Sequence, residues 1–71
     1  MKYEIAKAEV NGTIIEIYKL DTQYIVHSYK ATSNPEGGSV YYNGRSYFTA
    51  FDIYTDIIIY TLKPLKYGKN I

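Results

Sequence analysis

Cysteine and tryptophan do not occur in this chain of 71 residues, histidine and arginine occur once each, and proline only twice. Each absence excludes something. Without cysteine there are no disulfide staples and no thiolate metal sites. With His27 alone there is no histidine cluster for a transition metal. The carboxylates Glu4, Glu9, Glu16, Asp21, Glu36, Asp52 and Asp56 are scattered along the chain, without the spacing of a calcium loop. Asp52 and Asp56 stand one helical turn apart, and solvation of a helix surface is the ordinary role of such a pair.

Charge of one sign is also missing. Eight Lys and Arg against seven Asp and Glu leave a net charge of +1, whereas dedicated nucleic-acid binders draw most of their affinity from a strong basic excess. No stretch approaches the ~20 apolar residues of a membrane span. The first seven residues carry charges where a signal peptide needs an apolar run, so no membrane association and a cytoplasmic location are expected.

Signatures of catalysis are absent too. His27 lies between Val26 and Ser28, but no motif assembles a nucleophile, base and carboxylate around it. Glu36-Gly37-Gly38-Ser39 lacks the lysine of a phosphate-binding loop and the glycine spacing of a dinucleotide fold. A non-enzymatic protein without cofactor is the expectation.

What is present is tyrosine, ten residues of it, within a composition that is 46% hydrophobic and 21% charged. That balance describes a globular domain. So short a chain buries only about 60% of its unfolded surface, and self-association into a homodimer is one way to gain further support. The abundance of Tyr, Ile and Lys also follows A/T-rich codons and points to a low-GC genome.

Two Asn-Gly pairs punctuate the chain. Asn-Gly suits a tight hairpin, because both central residues of a type I′ turn need positive φ. Asn11-Gly12 separates residues 2–10 from 13–20, and Asn43-Gly44 separates 39–42 from 45–48. Asp21-Thr22 offers a weaker third connection, into residues 23–30. The segments between are rich in Ile, Val, Tyr and Thr, as strands are. In the first, Tyr3 and Ile5 share one parity while Ala6, Ala8 and Val10 share the other, and a bulge near Ala6 reconciles them. In the second, Ile15 and Ile17 face opposite to Ile14, Glu16 and Tyr18, so both faces of the sheet carry apolar groups. Residues 31–38 form a loop broken by Asn34-Pro35 and Gly37-Gly38.

Three consecutive isoleucines in residues 49–63 invite a strand, but the period is helical. Ala50, Ile53, Tyr54, Ile57, Ile58, Thr61 and Leu62 fall on one stripe, with Ile53, Ile57 and Ile58 as the expected anchors and Ile59 left on the polar side. Thr49 with Asp52 predicts the N-terminal cap, and Pro64 predicts the stop. The expected fold is therefore α+β: an antiparallel meander of four or five strands followed by one C-terminal helix packed on one face. Residues 1–63 make one domain and 64–71 a basic tail.

Recognition is the function class that remains. In the hairpin around Asn43-Gly44, Tyr42 stands opposite Arg45, within reach of a cation–π contact. Parity places Tyr42, Arg45 and Tyr47 outward, with Tyr41 and Phe48 inward. Tyr41, Tyr42, Arg45 and Tyr47 are thus the candidate partner-binding residues, and Lys63, Lys66, Tyr67 and Lys69 of the tail are candidates for phosphate contact. The expected function is docking on a larger protein or nucleoprotein complex so as to block or modulate it. Size and composition suit accessory proteins of phages or mobile elements, a class that includes inhibitors of host defence such as anti-CRISPR proteins. The alternative is a single-stranded nucleic-acid binder, with bases stacked on the sheet tyrosines and Lys and Arg along the backbone.

Overall fold

The computed structural model describes residues 1–32 and 34–62. Its elements follow in the order β1 (Lys2–Val10), β2 (Thr13–Leu20), β3 (Gln23–Lys30), a 3₁₀ turn (Pro35–Gly37), β4 (Ser39–Gly44) and α1 (Tyr47–Leu62). The strands form one antiparallel sheet in the order β1-β2-β3-β4, and α1 lies across one face of it, as the α+β reading anticipates. The described residues include no helix long and apolar enough to cross a membrane.

Local chemistry sets the first three strands. At Asn11-Gly12 both residues take positive φ, 51° and 81°, the I′ geometry that matches the twist of a two-residue hairpin. Asp21 takes φ 58° at the second turn, a position where its short polar side chain tolerates the left-handed region. The register of β1 on β2 slips between Glu4 and Ala6, so Ile5 is the extra residue of a bulge. That bulge lets Ile5 join Ala6 and Val10 against the core, as the parity break in β1 implies.

The core lies between the sheet and the helix. Ile15, Ile17 and Val26 are fully buried, Ala50 likewise, and Tyr54 nearly so. Ile17 pairs directly with Val26, so the floor of the core is a cross-strand pair of β-branched side chains. The helical anchors differ from expectation. Ala50 and Tyr54 sit deepest, while Ile53, Ile57 and Ile58 flank them half-buried and Leu62 is exposed. Alanine at the closest approach leaves no side chain to hold the helix off the sheet, and the larger isoleucines fill the margins.

The second Asn-Gly does not turn the chain back. Asn43 pairs with Ile25 and Gly44 with Tyr24, so both extend β4, and neither takes positive φ. Residues 45–48 are therefore not a fifth strand, and Arg45 does not oppose Tyr42. Instead Ser46 caps the helix: its Oγ accepts from the Thr49 backbone N–H at 3.1 Å, three residues before the Thr49 cap that the sequence suggests. A good cap, followed by aromatics that continue the stripe of α1, outweighs the turn preference of Asn-Gly. The predicted helix end at Lys63 and Pro64 lies outside the described residues.

Two further contacts fix how the pieces meet. Asn11 Nδ2 donates to the carbonyl of Thr61 at 3.2 Å, tying the first hairpin turn to the last turn of the helix, where carbonyls lack intrahelical partners. Gly38 passes so close to β3 that an added Cβ would lie 2.0 Å from the Ser28 carbonyl oxygen, so only glycine fits there.

Removing the side chain of Ile17 should cost about 2–5 kcal/mol, a large part of the stability of a chain this small. Ile59, 49% exposed, should tolerate alanine within about 0.5 kcal/mol. Urea unfolding of Ile17→Ala and Ile59→Ala, followed by circular dichroism, measures both.

Candidate protein-docking surface

Helix α1 carries aromatic residues at Tyr47, Phe48, Phe51 and Tyr54. Tyr47, Phe51 and Tyr54 follow the spacing that keeps side chains on one flank of a helix. The rings form a connected series. Tyr24 of β3 meets Tyr47 edge-on, with centroids 5.5 Å apart. Tyr47 in turn touches Phe48 edge-on at 5.7 Å and stacks on Phe51 at 6.0 Å. Phe51 reaches Tyr54 at 5.9 Å. The inner end, Tyr54, is buried, while Phe48 is 79% exposed, Phe51 42% and Tyr47 38%. Spacings of 4.5–7 Å with tilted or edge-on rings are the favourable aromatic geometry, so the exposed rings are held by the buried one.

The start of α1 is itself held. The Tyr42 hydroxyl accepts from the Ser46 backbone N–H at 3.2 Å, in addition to the Ser46 cap on Thr49. Tyr42 is consequently half-buried and packed on the core, contrary to its expected place outside. Phe48, expected inward, is the most exposed of the helix aromatics. Tyr41 is 51% exposed and Arg45 lies in the exposed strand–helix junction. Thus Tyr42, Arg45 and Tyr47 do not form one outward ladder, and Tyr41, expected inward with Phe48, is exposed instead. The strand parity that grouped them ends at Gly44. Lys63, Lys66, Tyr67 and Lys69 lie outside the described residues.

Beyond the rings, a groove of about 780 Å³ opens between the second half of α1 and the start of β4, lined by Ile53, Ile57, Tyr60, Tyr41, Gly38 and Lys30 among others. Ile59 and Leu62 add exposed apolar surface at that end of the helix.

The sheet face away from the helix has a different character. Glu16 pairs with His27 across β2 and β3, and its Oε2 lies 2.9 Å from His27 Nδ1. Glu16 is buried although no layer covers it, with Lys2 Nζ at 3.9 Å from the same carboxylate oxygen and the His27 ring tilted on Tyr29. Lys2 also stands 4.3 Å over the Tyr18 ring. Ser28 alternates to the other face and borders the groove under the helix, so it does not complete a serine–histidine–carboxylate arrangement with His27. The described residues hold no group of three metal-ligating side chains. The Glu16–His27 pair serves to satisfy two polar groups that the sheet shelters.

Sequence reasoning missed Phe48, Phe51 and Tyr24. The signal was Ser46 followed by Tyr47, Phe48, Phe51 and Tyr54, which becomes an aromatic helix flank once the cap is placed at Ser46. No family model matches the chain, and neither curated proteins nor solved structures supply a match.

Burial pushes the Tyr54 hydroxyl above the ordinary tyrosine range, and the negative charge of Glu4 adds to the effect. A folded-state value above the unfolded one means that the folded protein keeps the proton longer. Stability is then unaffected below about pH 10 and falls as pH rises from there through the raised value. Urea midpoints measured between about pH 8 and 11 should fall less steeply for Tyr54→Phe than for the parent chain.

Proposed function

We propose that this chain is a non-enzymatic binding protein that docks on a larger protein or nucleoprotein complex and blocks or modulates it, with Phe48, Phe51 and Tyr47 at the centre of contact. The observation that carries this reading is the exposed end of the ring series. A phenylalanine 79% exposed at the first turn of a capped helix gains nothing from folding alone. Pre-positioned aromatic rings bind with little further loss of rotamer freedom, which is why such residues dominate interface hot spots. Asp52 and Asp56 are exposed on the same helix, so the complementary surface is an apolar cleft with a basic rim.

The acids also favour a protein over a nucleic acid as partner. Asp52 stands one helical turn from Phe48, where it repels phosphate, and Tyr41, Tyr42 and Tyr47 do not share a face on which bases could stack. An inhibitor of host defence of the anti-CRISPR kind would act by such docking, and only size and composition support that narrower role.

Affinity capture with the tagged chain should recover a protein partner whose binding, titrated by calorimetry, weakens at least about thirtyfold in the Phe48→Ala/Phe51→Ala double variant, the effect of losing hot-spot residues. Equal affinity of the double variant overturns the assignment. Fluorescence anisotropy with single-stranded oligonucleotides at low salt should show no binding. A salt-sensitive association there favours the nucleic-acid alternative.

A further inference from the structure

The side of α1 turned away from the sheet is apolar along its whole length. At about 100° per residue, Ala50, Tyr54 and Ile57 point to the sheet. Phe48, Phe51, Thr55, Ile59 and Leu62 fall within an arc of about 80° on the side away from it. All five are exposed, and Ile59 and Leu62 at 49% and 56% continue what Phe48 begins. Their spacing of three, four, four and three residues is that of a coiled-coil seam, and it runs ~21 Å along the helix. Thr55 belongs to this seam, because its hydroxyl already donates to the Phe51 carbonyl at 3.0 Å and can be covered without losing a hydrogen bond. Among the described residues α1 packs on the sheet alone, so nothing there covers the seam. One flank of it is acidic. Asp52 and Asp56 are exposed there, and among the described residues neither enters an ion pair.

We propose that the partner seats an amphipathic α-helix along this seam, with Lys or Arg on the flank that meets Asp52 and Asp56. That helix forms a wall of the apolar cleft proposed above, and its role rests on the docking reading. A narrow seam of heptad spacing is matched over its full length by another helix, whose own apolar residues recur with the same period. Charge then decides which helix. A second copy of α1 offers the same seam but no Lys, Arg or His between Tyr47 and Leu62, so it leaves both carboxylates without a counter-charge. A basic flank supplies one to each, and charges beside an apolar seam set partner choice between paired helices. The seam therefore favours a basic helix of another protein over a second copy of this chain.

Two synthetic peptides of about 21 residues, or three heptads, test the proposal. Both carry Leu at the a and d positions, one with Lys and the other with Glu at e and g, so that like charges keep each from pairing with itself. Titrated by fluorescence anisotropy at about 0.15 M salt, the full parent chain should bind the Lys peptide at least about tenfold more tightly than the Glu peptide. Asp52→Lys/Asp56→Lys should reverse that preference. Ile59→Ser/Leu62→Ser, at exposed positions remote from Phe48, should weaken binding of the Lys peptide about tenfold or more, with circular dichroism showing the fold unchanged. No binding of the Lys peptide at about 1 mM overturns the proposal. So does a preference that Asp52→Lys/Asp56→Lys does not reverse, or an affinity indifferent to Ile59→Ser/Leu62→Ser. The docking reading is judged separately, on the captured partner. A partner lost by Phe48→Ala/Phe51→Ala but kept by Ile59→Ser/Leu62→Ser retains the docking surface and removes the helix.

Discussion

One contact layer supports the whole structure: Ala50 and Tyr54 of the lone helix seated on Ile15, Ile17 and Val26 of the two central strands. Among the described residues only these five make up the buried cluster, so there is little redundancy. A sheet of four strands with one helix has a single face to hide, and the depth of that hiding depends on how closely the helix comes. Ala50 sets the distance by having almost no side chain. Tyr54 then fills the space one turn on, and its hydroxyl is drawn far enough from water to resist ionisation.

The same economy explains both remaining surfaces. The sheet face away from the helix has no layer over it and is closed by its own side chains. Glu16, sheltered on that face, is tolerable because His27 stands within hydrogen-bond distance and the Lys2 ammonium lies nearby, where an unpartnered buried carboxylate would cost several kcal/mol. On the helix side, a single element cannot turn every apolar residue toward the sheet. Tyr47 and Phe48 enter at the first turn, where Ser46 and the Tyr42 hydroxyl pin the backbone, and the geometry of the cap leaves Phe48 pointing into water. The exposed aromatic surface proposed for docking is therefore a consequence of where the helix begins.

Much of the fold was legible before any coordinates. The bounds of β1, β2 and β3 coincide with the segments between Asn11-Gly12 and Asp21-Thr22, because two-residue turns with positive φ leave the flanking strands a single register. The bulge in β1 was visible as a break in parity, since alternation admits an extra residue at only a few places. The helical stripe in α1 was visible through three consecutive isoleucines because period distinguishes helix from strand where composition does not. The site was much less legible. Tyr42, Arg45 and Tyr47 were placed on one face, and Tyr41 with Phe48 on the other, by a strand parity that required Asn43-Gly44 to turn, and that turn lost to a helix start only two residues further on.

The sequence by itself determined the element types, the first hairpin, the meander and the stripe of α1, all of which rest on interactions between residues close along the chain. Only the tertiary structure decided that Asn43-Gly44 lengthens β4, that Tyr42 goes inward and Phe48 outward, and that Glu16 meets His27. Each of those outcomes balances a local preference against packing between distant segments. The pairing of β4 with β3 extended the strand through Gly44, and the seating of Ala50 and Tyr54 on β2 and β3 then fixed where the helix had to begin.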